Sequence, residues 1–152
     1  MQNYDMEFLQ QYIRLDNLMK DMLSSSKGVS DYLEAMEDDT DNARRLSVPG
    51  WSEDFRTLRQ LRHLRNQITH ESGVSFCDEI DLDMLTAFYT RALHQDDPLC
   101  RLAMARQEQA QEETRREEAA AQRAMHARRW PWVLLFLLLL SCLIFLFWYV
   151  YH

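Results

Sequence analysis

The chain has few cysteines and glycines, and their positions exclude several kinds of site. Its three cysteines, Cys77, Cys100 and Cys142, fall in no Cys-x-x-Cys or Cys/His ligand spacing, which argues against structural zinc and indicates free thiols. The three glycines form no glycine-rich phosphate loop. No hydroxyl or thiol nucleophile has an obvious base, and no carboxylates are paired as metal ligands. We therefore expect neither a metal nor a cofactor.

Charged side chains are missing from residues 130–152, which read WPWVLLFLLLLSCLIFLFWYVYH. Residues 131–150 form an apolar-dominated run that is long enough, as a helix, to cross a hydrocarbon core of about 30 Å. Tryptophan and tyrosine at both ends are typical of the interfacial belts of a membrane helix. The sequence therefore predicts a single transmembrane anchor at residues 130–152.

Arginines set the predicted direction of this anchor. No acidic residue follows Glu118, and only Tyr151 and His152 follow the span. The arginines that precede the span are Arg115, Arg116, Arg123, Arg128 and Arg129. The positive-inside rule places this flank in the cytoplasm, and the opening MQNYDMEFLQ is no signal peptide. We expect a tail-anchored, single-pass protein of the inner (cytoplasmic) membrane, with residues 1–129 in the cytosol.

The part of the chain that precedes the anchor is acidic. Residues 1–97 hold 19 Asp and Glu against 10 Lys and Arg, whereas residues 98–152 hold five against seven. An acidic surface argues against broad electrostatic affinity for nucleic acid or anionic lipid. Any phosphate-binding surface must therefore be a local patch.

Apolar residues recur at helical spacing near the N-terminus. A first helix is predicted from about residue 5 to residue 23, with one apolar stripe: Phe8, Tyr12, Leu15, Met19 and Met22. Ser30 is predicted to cap a second, shorter helix. This helix is expected to bury Val29, Leu33 and Met36. The following EDDTDN, residues 37–42, is predicted to be a solvated connection.

Two more helices complete the predicted bundle. A turn at residues 48–51 and an N-cap at Ser52 start the third helix, which Gly73 is expected to end. Its inward residues are Phe55, Leu58, Leu61, Leu64 and Ile68. The fourth helix runs from about residue 81 to residue 93, with Leu82, Leu85, Phe88, Tyr89 and Leu93 on its inner side. No stretch alternates as a strand would, so the fold class is all-α, a helical bundle over residues 1–97.

Residues 98–129 favour a long charged helix. Asp97 is a suitable cap and Pro98 suits the first helical position. Ala, Glu, Gln and Arg then dominate without glycine or proline, and about 30 such residues would rise roughly 45 Å. A solvated stalk that runs into the membrane helix is the simpler interpretation. A coiled coil is the alternative, although beyond Met104 only alanines and Met125 could form its seam.

The third predicted helix is rich in arginine and contains LRHLRNQITHES, residues 61–72. Its arginines recur at every third position and therefore spiral round the helix: Arg56, Arg59, Arg62 and Arg65. Arg62, Asn66 and His70 share one face, and Arg65 can reach the same space. Arginine binds phosphate oxygens in a planar fork, and histidine exchanges protons at neutral pH. This grouping favours acid–base and electrostatic chemistry on phosphates without a metal. For Arg56 and Arg59 the alternative is a solvated face paired with carboxylates.

The Arg-Asn-x-x-x-His segment, late in a core helix of a small all-α bundle, resembles the HEPN superfamily (higher eukaryotes and prokaryotes nucleotide-binding domains). The wording RHLRNQITHE, followed by AFYTRAL and DDPL, also resembles a small uncharacterised bacterial family with that core. The resemblance covers about residues 5–105. It omits the stalk and the anchor.

The resemblance implies a specific chemistry. Active HEPN proteins cut RNA without metal, as homodimers in which two copies of the motif face each other. Carried over, Arg65 would stabilise charge on the attacked phosphate, His70 would be the acid–base group, and Asn66 would orient them. Apart from the resemblance, Arg62 and Arg59 are candidates for binding RNA phosphates, because their guanidinium groups suit phosphate oxygens. The RNA 2′-hydroxyl would be the nucleophile and a 2′,3′-cyclic phosphate the product.

Three functions remain open at this point. The first is an interaction or RNA-associated module, an inactive HEPN-like bundle that binds a partner or a second copy of itself at the membrane. The second is a membrane-tethered, metal-independent endoribonuclease of toxin or defence type that uses Arg65 and His70. The third is a nucleotide sensor that uses the same arginines.

Overall fold

The computed structural model describes residues 4–70 and 75–151, apart from the side chains of a few residues between 126 and 150. Every regular element in these ranges is a helix, so the predicted all-α class is confirmed. The helices in chain order are α1 (Tyr4–Leu23), α2 (Val29–Asp38), α3 (Thr40–Arg45), α4 (Trp51–His70), α5 (Glu79–Leu93) and α6 (Pro98–Tyr151). Gly73, predicted to end the third helix, and His152 lie outside the described residues.

One hydrophobic core joins the helices of the bundle. α1 packs on α2, α4 and α5, and α2 packs on α4. The predicted inward residues of α4 are confirmed, since Leu58, Leu61 and Leu64 are buried and Phe55 and Ile68 pack against the core. These side chains share the core with the largest buried residues of the other helices, among them Phe8, Leu15, Met19, Tyr32, Met36, Leu85 and Phe88.

Two predicted N-caps are wrong. α2 begins at Val29 after Gly28, so Ser30 lies inside its first turn. α4 begins at Trp51, so Ser52 is helical too. In both cases a glycine with positive φ, Gly28 at 51° and Gly50 at 73°, sets the chain direction before the helix. The capping serines fit the sequence pattern, but these backbone turns start each helix earlier.

The connection predicted at residues 37–42 is also wrong, because the short helix α3 begins within it. Asp39 ends α2 and starts α3, and its carboxylate accepts a hydrogen bond from Asn42 Nδ2 at 2.9 Å. Asn42 and then Arg106, which lies in the first turns of α6, lower the pKa of Asp39. One buried residue, Ala43, attaches α3 to the core. Because α3 is polar and buries only one small residue, the sequence shows no apolar periodicity that would predict a helix there.

Two residues predicted to face inward are exposed. Met22 lies in the last turn of α1 and is 36 % exposed, and Leu93, the last residue of α5, is 52 % exposed. Both residues fit the apolar periodicity of their helix, but they lie at its end, where no neighbouring helix covers them.

The start of α6 is confirmed and is buried more deeply than a usual cap. Asp97 Oδ1 accepts hydrogen bonds from the backbone N–H groups of Leu99, at 3.2 Å, and Cys100, at 3.3 Å. The Tyr32 hydroxyl of α2 donates to the same oxygen. Burial and the Asp97 carboxylate raise the pKa of Tyr32 far above its ordinary value. This contact attaches the beginning of α6 to α2.

A second buried carboxylate links α4, α5 and the beginning of α6. Asp54 is 4 % exposed. Arg91 of α5 donates to it from both terminal guanidinium nitrogens, Nη2 at 2.5 Å and Nη1 at 3.1 Å. Arg101 Nη1 lies 3.6 Å from Asp54 Oδ2, and Arg101 Nε also donates to Asp96 at 2.8 Å. In the sequence Asp54 is only an acid near the start of a predicted helix, where its charge is favourable. Its burial depends on arginines far along the chain.

The chain forms two compact units, Met1–Arg106 and Gln107–His152. The first therefore includes the beginning of α6. The second consists of the rest of α6, and the predicted continuous helix from Pro98 past residue 130 is confirmed. Over the residues that the structure describes, no helix combines the length and the apolar character needed to cross a membrane. The anchor at residues 130–152 stays a prediction.

Leu64→Ala should destabilise the bundle strongly. Leu64 is 9 % exposed within the core, and removing its buried methyl groups leaves a cavity that costs about 2–5 kcal/mol. Met6→Ala is the matched control, because Met6 is 53 % exposed on α1 and should change the free energy of unfolding by less than about 0.5 kcal/mol. Urea unfolding followed by circular dichroism measures both. Equal midpoints for the two variants would show that Leu64 carries no core packing.

The bundle should lose stability at alkaline pH. The pKa of Tyr32 is raised above its ordinary value of 10.0, so the folded state holds that proton more tightly than the unfolded state does. The resulting stabilisation is complete below about pH 10 and disappears as the pH rises above it. We expect the melting temperature to fall above pH 10, and Tyr32→Phe to reduce the slope of that fall. Met6→Ala, at an exposed position of α1 that does not titrate, is the control and should leave the slope unchanged.

Candidate anion-binding site

Three residues of the arginine helix line one cavity. Arg62, Arg65 and Asn66 of α4 border a space of about 380 Å³ between α4, α1 and the start of α2. The rest of the lining is Tyr12, Ile13 and Asp16 from α1, with Lys27 and Ser30. A volume of this size is within the range of small-molecule sites. The structure thus brings together three of the sequence-predicted site residues.

Asp16 fixes the wall of the cavity opposite α4. Gly28 precedes α2 and has no side chain with which to cap it, so Asp16 Oδ1 accepts the Val29 N–H at 3.0 Å instead. The approach is so close that a β-carbon at position 28 would collide with the side chain and carbonyl oxygen of Asp16. This contact holds Lys27 and Ser30 beside the cavity.

The charge of Asp16 is already compensated. Its Oδ2 lies 2.7 Å from Lys20 Nζ, one turn along α1, and its Oδ1 accepts the Val29 N–H. Arg62 and Arg65, in contrast, form no ion pair with any carboxylate in the described residues. The cavity therefore carries positive charge from α4, to which Lys27 adds.

Arg62 stands apart from the other partly buried arginines. Among the arginines whose side chains the structure describes, three have intermediate burial: Arg62, Arg91 and Arg101. Arg91 and Arg101 both pair with carboxylates, and those contacts raise the pKa of each guanidinium. Arg62 has no such partner there, although the chain has 24 acidic residues against 17 Lys and Arg. A partly buried cation without a counter-charge marks a place for an anion.

Arg65 and Asn66 contact each other directly. Arg65 Nη1 donates to Asn66 Oδ1 at 3.1 Å, so the amide holds one edge of the guanidinium. The remaining N–H groups of Arg65 and the Asn66 Nδ2 donors stay open to a ligand. The role that the resemblance implies for Asn66, orienting Arg65 and His70, stays a prediction.

His70 is not part of the described lining of this cavity. It is the exposed last residue of α4. Arg59 also lies elsewhere: its guanidinium sits over the Phe55 ring, 5.8 Å from the centroid, and it borders a neighbouring cavity that Arg62 also lines. Arg56 is exposed on the same helix. The structure therefore groups Arg62, Arg65 and Asn66 at one cavity, and His70 is not among the described residues of its lining.

Tyr12 is the site residue that sequence reasoning missed. It is 6 % exposed and stacks on Phe8 at a centroid distance of 6.1 Å, as a member of the apolar stripe should. Burial, and next the Asp16 carboxylate, raise its pKa to about 12, whereas Arg65 and Arg62 act in the opposite direction. Its hydroxyl is therefore protonated at neutral pH. The available signal was a tyrosine in a core stripe, since a buried phenol needs a hydrogen-bond partner.

The structure offers no set of metal ligands in the residues that it describes. They contain no group of three or more His, Cys, Asp or Glu side chains placed to hold a metal ion. Cys77 and Cys100 are free thiols, and burial raises the pKa of each to about 12. The cavity offers guanidinium, amide and hydroxyl donors, which suit an anion.

A family model covers most of the chain. A family of unknown function (DUF6548) matches residues 6–131. The chain belongs to this family. No curated protein and no solved structure matches the chain. The DUF6548 match includes every residue that lines the Arg62–Arg65 cavity, and it ends before most of the apolar segment.

Proposed function

We propose that this DUF6548 protein is a HEPN-like helical module that associates with RNA and is tethered to the inner membrane by residues 130–152. The observation that carries the RNA-binding part is the cavity lined by Arg62, Arg65 and Asn66. Two arginines that lack a carboxylate partner among the described residues meet there beside an amide. The remainder of residues 1–97 is acidic, so contact with RNA is confined to this patch.

The position of His70 favours binding over cleavage. A general acid–base group must come within hydrogen-bond distance of the reacting oxygen, directly or through one water. Arg65 borders the cavity and His70 does not. A single copy of the chain therefore supports phosphate recognition better than it supports proton transfer.

A metal-independent endoribonuclease is the second candidate. The Arg65–Asn66 hydrogen bond of 3.1 Å favours it, because a held guanidinium suits a developing negative charge. This enzyme would be a homodimer in which the motif helix of a second copy brings another His70 towards Arg65.

The tether is supported by the composition and exposure of the end of α6. Large apolar side chains are exposed in the described part of residues 134–151, with Leu138 at 64 % and Phe147 at 67 %. An apolar surface of this kind needs a cover, and lipid supplies one. The arginines before it favour the cytosol for residues 1–129.

The full-length chain should bind single-stranded RNA and leave it intact in the presence of EDTA. Arg62→Gln and Arg65→Gln should each weaken binding by roughly tenfold, because each removes a charged hydrogen-bond donor to phosphate. Arg56→Gln, an exposed arginine of the same helix, is the matched control and should change affinity little. Fluorescence anisotropy measures binding, and gel electrophoresis of the same samples measures cleavage.

Three results would contradict this proposal. Equal losses in the Arg56 and Arg62 variants would indicate non-specific attraction, and no binding at low salt would exclude the RNA module. Cleavage in EDTA that disappears in His70→Ala would replace it with the endoribonuclease. Cleavage that persists in His70→Ala would point to a contaminating nuclease.

Residues 130–152 should determine membrane association. The full-length chain should sediment with membranes, whereas a chain that ends at Arg129 should stay in the supernatant with its helices intact. Leu138→Arg should weaken membrane association, since a charge near the centre of a span costs about 3 kcal/mol, and Leu138→Ala should not. Fractionation followed by detergent extraction checks this. A membrane-bound fragment ending at Arg129 would contradict the single-anchor proposal.

A further inference from the structure

The Tyr12 hydroxyl has no hydrogen-bond partner among the described residues. The residue is 6 % exposed, and it lines the same cavity as Arg62 and Arg65. Its oxygen is not among the fully buried polar atoms without a partner, so a ligand in the cavity can reach the phenol. The phenol therefore presents one neutral donor to the space that the two guanidinium groups border.

The charges around Tyr12 favour a compact anion. Asp16 is bound to Lys20 and to the Val29 N–H. Arg62 and Arg65 have no carboxylate partner within the described ranges, and Lys27 borders the space. With the Tyr12 hydroxyl and the Asn66 amide, the donors surround a single space of about 380 Å³. Guanidinium forks with neutral donors beside them fit the tetrahedral oxygens of a phosphate.

The adjoining cavity limits how far a polyanion could continue. It shares Arg62, Lys27 and Ser30 with the first cavity and is also lined by Arg59, but three acids of α2 face these cations: Asp31, Glu34 and Glu37. The three carboxylates offset the three cations, so this cavity offers no net positive charge to a second phosphate. On this side a ligand therefore gains little from a further phosphate.

We propose that the Tyr12 cavity binds a terminal phosphate monoester, carried by a mononucleotide or by the end of an RNA strand. Arg62 and Arg65 bind its oxygens, and the Tyr12 hydroxyl and Asn66 amide donate to it. A phosphodiester within a strand has fewer charged oxygens and needs a path on both sides. The inference rests on the proposed function in assigning Arg65 and Asn66 to phosphate, and it adds Tyr12 and the preference for an end.

The test compares three RNA oligonucleotides of one sequence, with a phosphate at the 5′ end, at the 3′ end or at neither. The full-length chain should bind one of the phosphorylated forms about tenfold more tightly than the unphosphorylated form. Adenosine 5′-monophosphate should compete and adenosine should not. Competition as strong as that of the oligonucleotide identifies a free nucleotide as the ligand, and weaker competition identifies the RNA end.

Tyr12→Phe is the decisive variant, because it removes the donor and keeps the ring that stacks on Phe8. It should abolish most of the preference for the terminal phosphate, whereas Tyr89→Phe, on α5, should retain it. A melting curve establishes that Tyr12→Phe is folded. If it is not, Arg62→Gln replaces it, since Arg62 is only half-buried and should lose the same preference.

Failure of this inference differs from failure of the RNA module. Equal affinity for all three oligonucleotides, unchanged in Tyr12→Phe, would overturn the terminal-phosphate site and leave RNA binding standing. Binding of adenosine 5′-monophosphate that Tyr12→Phe weakens, without any RNA binding, would support the site and exclude the RNA module. Binding of neither ligand would overturn both.

Discussion

The carboxylate of Asp54 is buried, and a buried charge needs a counter-charge. Arg91 supplies it across the contact between α4 and α5, and Arg101 adds a second cation from the beginning of α6. Removing one partner would leave an uncompensated charge in the interior, which is far more costly than losing a surface ion pair. The mutual placement of these three helices therefore depends on this cluster. α4 in turn carries the candidate site on its opposite half.

The pairing of charges elsewhere in the domain also explains why the cavity is positively charged. The domain uses Arg91, Arg101 and Lys20 to neutralise Asp54, Asp96 and Asp16, so internal pairing occupies these cations. Arg62 and Arg65 of α4, in contrast, form no ion pair with a carboxylate in the part of the chain that the structure describes. An acidic protein can thus keep a local anion site without broad attraction for polyanions.

The sequence predicts the helices better than their connections. The apolar period fixed the inward residues of α4, and Asp97 with Pro98 fixed the start of α6, because both depend on local chemistry. The start of α2 depends on Asp16, a residue from another helix, and α3 has only Ala43 as an apolar anchor. Local patterns cannot reveal such contacts.

The candidate site was predicted in part for the same reason. Arg62, Arg65 and Asn66 lie on one helix, so their spacing places them together. Tyr12 joins them only through the packing of α1 on α4, and the exclusion of His70 depends on where the cavity ends. Spacing along one helix therefore predicts that residues share a face. Which part of that face borders the cavity depends on the neighbouring helices.

The shape of the site depends on Gly28, although this residue does not line the cavity. Any β-carbon there would displace Asp16, and with it the cap of α2 and the placement of Lys27 and Ser30. Relatives that retain the cavity should therefore keep glycine at this position even where the surrounding SSSKG segment varies freely. A relative with another residue at position 28 is therefore expected to lack the cavity wall that Asp16 fixes opposite α4.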